Sequence, residues 1–225
     1  MTRQLSFDLP HAVASGDIAY FVSPANAQAH ELVSAPARWP EGKLVIAGPA
    51  GAGKSHLMRV WLARSGGWLL RARDLGRDLD LPPDGAQIGI EDMEHLPLAA
   101  ETPLFHLHNH LAATGGRLLM TADRAPAQWP IRLPDLASRM QAATVVQVAD
   151  PDDALLAAVL LKHFSDRQIA PPGDLIPYAI ARMERSFAAA ARLVAALDRD
   201  SLALARPINR ALVRDVLAAQ GSSGA

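Results

Sequence analysis

The sequence of 225 residues contains no cysteine and has almost no net charge, and these absences exclude several classes of protein. Without cysteine there are no disulfides, no thiolate nucleophile and no cysteine-ligated zinc, which is compatible with a reducing compartment. A formal net charge of −1 provides no global basic field to recruit nucleic acid directly. No apolar run approaches the roughly 18 residues of a membrane span, and the first ten residues lack the apolar core of a signal peptide. We therefore expect a soluble cytoplasmic protein with no membrane partner.

The chain is organised around the segment Gly48-Pro49-Ala50-Gly51-Ala52-Gly53-Lys54-Ser55, which has the pattern G-x-x-x-x-G-K-S. The apolar run 43–47 before it predicts a buried parallel strand, and the helical spacing of apolar residues after it predicts a helix. In such a loop the backbone N–H groups face one anion, and the helix N-terminus adds partial positive charge. Lys54 is expected to contact the β- and γ-phosphates, and the Ser55 hydroxyl to ligate Mg²⁺. The segment therefore predicts a nucleotide-binding site.

Two further predicted strands end in polar residues that could serve this site. The strand at 87–92 ends in Glu91 and Asp92, at the position where nucleotidases of this type hold Mg²⁺ and the attacking water. The strand at 117–121 is followed by Asp123, which could sense the γ-phosphate or could simply cap a turn. The alternative for the acidic pair is that both carboxylates are solvated residues after a strand.

Histidines at positions 106 and 110 share a face of the helix predicted at 102–113, so they could hold a metal. No acidic third ligand lies in register on that helix. A structural role for both histidines is therefore the favoured interpretation.

Half of the residues are hydrophobic, so the chain can bury a full core as one large or two small domains. Further apolar runs predict strands at 68–70 and 144–148, which completes a five-stranded parallel sheet flanked by helices. After residue 150 the composition becomes rich in alanine and leucine. We interpret residues 1–22 as an extended tail, 23–150 as an α/β nucleotide-binding subdomain and 151–220 as a small helical lid. The helices of the lid are predicted at 152–166, 173–183, 186–199 and 207–219.

The N-terminal tail contains a short alternating segment, Gln4-Leu5-Ser6-Phe7-Asp8-Leu9, in which Leu5, Phe7 and Leu9 alternate with polar residues. From the pattern alone it is either a half-buried edge strand or unstructured tail, or a linear peptide that docks its apolar side chains in a partner's groove.

With these motifs in view, the chain resembles the AAA+ domain of the bacterial replication initiator DnaA, and more closely the short DnaA-homologous regulators of the Hda type. Residues 48–55 resemble the Walker A motif of that family, and Ile90-Glu91-Asp92-Met93 resembles its Walker B motif. Leu119-Met120-Thr121-Ala122-Asp123-Arg124 resembles its sensor I segment, and Leu136-Ala137-Ser138-Arg139-Met140 its box VII segment. Arg185 corresponds to its sensor II arginine, and residues 4–9 are similar to the peptide with which Hda-type proteins bind the replicative sliding clamp.

The resemblance implies an AAA+ P-loop fold and assigns roles to individual residues. Arg139 is implied as an arginine finger, Asp92 as the water-orienting acid and Asp123 as the sensor. The implied Mg²⁺ ligands are Ser55, Glu91 and Asp92, and the implied clamp-binding residues are Gln4, Leu5, Phe7 and Leu9. The residues implied to bind ADP or ATP are Gly48, Pro49, Gly51, Ala52, Gly53, Lys54, Ser55, His56 and Arg185.

The function implied is negative regulation of chromosomal replication, in which the protein binds the DNA polymerase III β sliding clamp and stimulates hydrolysis of initiator-bound ATP. DNA would be contacted only indirectly, the protein would be associated with the replisome, and a homo-oligomer is conceivable. Glu91 stands where the initiator usually carries Asp, and Asp92 stands where many AAA+ ATPases carry Glu, so weak intrinsic hydrolysis is expected. Two alternatives are a non-catalytic adaptor that sequesters the initiator and an AAA+ helicase loader.

Overall fold

The structure is a computed structural model and describes residues 20–222, with only the main chain for the last two of these. The predicted tail peptide with Gln4, Leu5, Phe7 and Leu9 lies outside the described residues.

Five parallel strands form one sheet in the order β2-β3-β4-β1-β5. The strands are β1 (Lys43–Ala47), β2 (Trp68–Arg71), β3 (Gln87–Glu91), β4 (Arg117–Ala122) and β5 (Thr144–Gln147). Parallel strands need crossover connections, and the buried β1 and β4 are accordingly almost continuously apolar. The predicted five-stranded parallel sheet is confirmed, and β1 has the predicted bounds.

Eight α-helices accompany the sheet in the described part of the chain. They are α1 (Ala27–Ser34), α2 (Lys54–Ser65), α3 (Glu101–Thr114), α4 (Pro134–Gln141), α5 (Asp153–Ser165), α6 (Leu175–Ile180), α7 (Phe187–Leu204) and α8 (Arg210–Ser222). Short 3₁₀ turns connect several of these elements.

The apolar side chains form three clusters. One fills the face of the sheet covered by α3 and α4 and includes Val45, Ile90 and Met120. The opposite face packs against α1 and α2 through residues such as Leu44 and Ile46. Because neighbouring residues of a strand point to opposite faces, β1 supplies both clusters.

The third cluster joins helices α5 to α8. Two residues from these helices leave it and pack in the α1–α2 cluster instead, namely Leu155 of α5 and Phe187 of α7. The first turn of α7 therefore lies against the α/β half of the chain. The boundaries predicted at residues 22, 150 and 220 remain predictions.

Helices α1, α7 and α4 show how local residues set helix ends. The Ser23 hydroxyl accepts the N–H of Ala25, and α1 begins at Ala27. Helix α7 continues to Leu204, five residues beyond the predicted end. The prediction stopped too early because the last turns are solvent-facing and carry no apolar period. Helix α4 is two full turns long, with Pro134 at its first position, where the missing proline N–H costs no hydrogen bond.

Candidate nucleotide-binding site

The glycine-rich loop lies between β1 and α2, as the motif requires. Gly51 and Gly53 have φ angles of +82° and +80°, a conformation that costs other residues about 1 kcal/mol or more. Gly53 immediately precedes α2 and directs the first N–H groups of that helix toward the loop. Unpaired N–H groups at a helix start, together with the helix dipole, make this a site for a phosphate anion.

Lys54 closes over the loop from the start of α2. Its Nζ donates to the carbonyl oxygens of Gly48 at 2.7 Å and Pro49 at 2.9 Å. Burial lowers the pKa of Lys54, and the carboxylates of Glu94, Asp92 and Asp123 oppose that shift. The two hydrogen bonds hold the ammonium over the loop, where phosphate oxygens could replace its carbonyl partners.

The start of α7 contacts the loop from the other side. A Cβ added to Gly51 would lie 2.9 Å from the Cβ of Phe187, and Phe187 is almost completely buried. Arg185, the predicted phosphate contact, precedes Phe187 by two residues, and its guanidinium pairs with Asp153 at the start of α5. The structure thus brings Arg185 to the helix that touches the loop, and a phosphate contact by this residue remains a prediction.

Tyr20 covers the other end of the loop. Its ring stacks between His30 and His56, with centroid separations of 5.9 and 5.7 Å. The ring also lies 3.4 Å from the position of a Cβ on Gly53. Burial raises the pKa of Tyr20 to about 12. His56, predicted to bind the nucleotide, is therefore part of an aromatic stack beside the loop.

The acidic residues after β3 and β4 form the wall opposite Lys54. Asp92 has a left-handed backbone conformation (φ +59°), and its N–H donates to the buried hydroxyl of Thr121 at 3.4 Å. Asp123 accepts two hydrogen bonds of 2.7 Å from Arg124, which lower its pKa. These observations place the predicted residues Asp92 and Asp123 near Lys54.

Glu94 belongs to the same wall and was missed by the sequence analysis. Its Oε2 accepts the N–H of Asp123 at 3.3 Å, and it is the first of the carboxylates that raise the pKa of Lys54. The one signal in the sequence was that Glu94 is the third acidic residue within positions 91–94. The left-handed turn at Asp92, which brings Glu94 back toward the loop, could not be read from the sequence.

Glu91 is oriented differently from the other acids. The structure buries its side chain, and both carboxylate oxygens face arginines: Arg59 of α2 at 3.1 Å and Arg71 of β2 at 3.8 Å. Glu91 is therefore not free to ligate Mg²⁺ as the sequence predicted, and in this arrangement it does not fit such a role. Ser55 is half-buried in the first turn of α2, and among residues 20–222 no three acidic or histidine side chains converge on a point that could hold a metal.

His106 and His110 also do not form a pair in this structure. His110 Nε2 lies 2.8 Å from the carbonyl oxygen of Pro82, whereas His106 is exposed.

Arg139 lies at the opposite end of the sheet from the phosphate loop. The carbonyl oxygen of Arg139 accepts a hydrogen bond from Lys43 Nζ at 3.3 Å, and Lys43 is the first residue of β1. The loop follows the last residue of β1, so about 16 Å of strand separates the two places. Arg139 is exposed, and its charge adds to that of Lys43 in lowering the pKa of Glu41. Arg139 cannot reach phosphates bound by its own loop.

The comparisons with known proteins agree with this architecture. Domain III of the replication initiation protein DnaA from Thermotoga maritima superimposes with a TM-score of 0.69 at 17% identity, over 90% of this chain and 96% of that domain. The chain has an AAA+ fold. DnaA bound to AMPPCP and single-stranded DNA matches with a TM-score of 0.59 at 16% identity, over 80% of this chain and 63% of the DnaA chain. RuvB, the Holliday junction branch migration motor of Thermotoga maritima, matches with a TM-score of 0.60 at 16% identity, over 85% of this chain and 67% of RuvB.

No family model matches the sequence. The superpositions establish the AAA+ fold, which the initiator and the branch migration motor share. Because the identities are only 15–17%, they establish nothing beyond the fold. In residues 20–222 no helix is both long and apolar enough to cross a membrane.

Proposed function

We propose that this protein is a nucleotide-binding regulator of replication initiation that presents Arg139 in trans to ATP held by a DnaA-type initiator. The observation that carries the proposal is the position of Arg139. It is exposed, and it lies about 16 Å along β1 from its own phosphate loop. In this proposal Arg139 serves a nucleotide on a second molecule, because the loop of its own chain is out of reach.

The chemistry of such an arginine is electrostatic. In phosphoryl transfer, negative charge is spread over the γ-phosphate oxygens, and a guanidinium supplied by another protein stabilises it. Fingers of this kind accelerate hydrolysis by about 10³–10⁵-fold. The hydrogen bond from Lys43 to the main chain of Arg139 anchors the last turn of α4, which limits the entropy lost when the finger docks.

The protein's own nucleotide, ADP or ATP, has a structural role in this proposal. It would bind the loop through Lys54 and the N–H groups of α2, and a DnaA of the same fold has been solved with bound AMPPCP. Because Phe187 touches Gly51, a ligand on the loop also fixes the first turn of α7 and Arg185. Nucleotide binding therefore sets the arrangement of helices α5 to α8 relative to the sheet.

The peptide Gln4-Leu5-Ser6-Phe7-Asp8-Leu9 supplies the second partner. Its alternating apolar side chains suit a groove on the β sliding clamp, and attachment there would localise the protein to the replisome. Clamp attachment would restrict the stimulation to DNA that has already been replicated, without direct contact between this chain and DNA.

The test is the hydrolysis of radiolabelled ATP pre-bound to the initiator, with this protein and clamp-loaded DNA present or absent. We expect acceleration that requires both and is lost in Arg139→Ala, while that variant still binds the clamp. Arg64→Ala is the matched control, because Arg64 is another exposed arginine on the helix that follows the loop. Replacing Gln4 and Leu5 by alanine should remove clamp binding and the acceleration together.

Retained stimulation in Arg139→Ala would refute the finger. Binding of initiator and clamp by the folded wild-type protein without any acceleration would favour the adaptor function instead. Binding to the replicative helicase in place of the clamp would indicate a helicase loader.

A further inference from the structure

The carboxylate at the end of β3 is held by two guanidinium groups. Glu91 is 4% exposed. Its Oε1 accepts a hydrogen bond from Arg59 Nη2 at 3.1 Å, and its Oε2 lies 3.8 Å from Arg71 Nε. A buried carboxylate is costly unless its charge is compensated, and here the compensation comes entirely from arginine.

Three elements converge to build this arrangement. Arg59 follows Ser55 by four residues on α2, so both side chains leave the same face of the helix. Arg71 lies directly opposite Glu91 in the register of β2 and β3. The end of β3 is drawn under α2, because Gly89 has no side chain and a Cβ there would lie 2.7 Å from the sulfur of Met58.

This arrangement conflicts with the magnesium-ligand role of an acid at this position. Mg²⁺ requires nearly ideal octahedral oxygen coordination and gives up its water reluctantly. To ligate it, Glu91 would have to break a charge-assisted hydrogen bond. A dication would then lie beside the guanidinium of Arg59, and the two like charges would repel each other.

We propose that Arg59 takes the place of Mg²⁺ as the cation at the end of β3, so that this chain binds nucleotide with little dependence on magnesium. The inference rests on the nucleotide-binding part of the proposed function. It makes Arg59 a specificity-determining residue of the phosphate site, since its charge decides whether a divalent ion is needed there.

The test is equilibrium binding of a fluorescent ADP analogue to the full chain, in millimolar Mg²⁺ and in excess EDTA. For the wild type we expect the two dissociation constants to agree within about threefold. In Arg59→Ala the charge of Glu91 is only weakly compensated, so removal of Mg²⁺ should weaken binding by about tenfold or more. Arg59→Lys should restore the wild-type behaviour, and Arg64→Ala, on the same helix, should leave it unchanged.

Two further measurements keep the inference open to refutation if Arg59→Ala fails to fold. Glu91→Gln should leave ADP affinity in Mg²⁺ within about twofold of the wild type, because Glu91 is not a ligand. The electron paramagnetic resonance spectrum of Mn²⁺ with ADP should be the same in the presence of the wild-type protein and in the presence of Glu91→Gln.

The outcomes separate this inference from the function on which it rests. Wild-type binding that weakens about tenfold or more in EDTA, or an affinity that collapses in Glu91→Gln, would overturn the replacement of Mg²⁺ by Arg59 alone. Absence of ADP binding in both buffers, with circular dichroism showing folded protein, would overturn the nucleotide site and this inference with it.

Discussion

The contact between Gly51 and Phe187 leads to a prediction whose size can be worked out from the structure. Gly51→Ala adds a Cβ that meets the Cβ of Phe187 at 2.9 Å, on a backbone with φ of +82°. The left-handed conformation costs alanine about 1 kcal/mol, and overpacking against a fixed neighbour adds about 1–3 kcal/mol. We expect the free energy of unfolding to fall by about 2–4 kcal/mol in total.

Gly66 and Gly115 provide matched controls. Their φ angles are +68° and +73°, and a Cβ at either position would have nothing within 4 Å. Alanine at these positions therefore carries the backbone cost without the contact, about 1 kcal/mol each. The difference between Gly51→Ala and these controls isolates the contact with α7.

The assay is urea unfolding of each variant without nucleotide, together with the affinity for ADP. Phe187→Ala alone should cost about 3–5 kcal/mol. Alanine keeps the Cβ that Gly51→Ala would meet, so the background that removes the contact is Phe187→Gly. In that background the additional cost of Gly51→Ala should fall to about 1 kcal/mol. Equal costs for Gly51→Ala and Gly66→Ala in the wild-type background would refute the contact, and with it the coupling of α7 to the phosphate loop.

Two further predictions concern the start of helix α7 and the buried His108 of helix α3. Ser186→Ala removes the hydroxyl that accepts the N–H at the third position of α7, at 3.1 Å, and should cost about 1 kcal/mol. ADP affinity should fall with it, whereas Asn209→Ala, which removes the equivalent contact at the start of α8, should lower stability only; equal affinities in the two variants would contradict this. Burial lowers the pKa of His108 from its ordinary value of 6.5, so the unfolded chain binds more protons in the window just below pH 6.5. The stabilisation is complete above that value and is lost as pH falls through the window, so urea unfolding should show a shallower pH dependence in His108→Gln; an unchanged slope would contradict the assignment.

Short-range patterns were sufficient to predict the elements that build the phosphate site. An apolar β-branched run predicted β1, and the spacing of glycine, lysine and serine predicted the loop and the start of α2. These predictions succeed because a strand, a tight turn and a helix start depend on residues close together in the sequence. The end of α7 was predicted less well, because solvent-facing turns lack an apolar period.

The partners of the acidic residues were not predictable in the same way. Glu91 and Asp92 are adjacent in sequence and were expected to act together. In the structure Glu91 points to Arg59 and Arg71, whereas Asp92 turns toward Lys54 and Thr121. That division follows from the alternation of side chains along β3 and from the left-handed turn that ends it.

Local sequence patterns were enough to predict the glycine-rich loop between a buried strand and a helix, and the helices that follow the α/β part. The long-range partners of these residues could be identified only in the folded chain. The contact with Lys43 holds Arg139 at the far end of β1 from the loop. The register of β2 and β3 sets Arg71 opposite Glu91, where it pairs with the carboxylate. The packing of α7 sets Phe187 against Gly51. The physical reason is that these contacts join residues 20 or more positions apart, and the entropy of closing such loops is repaid only by the packing of the whole sheet.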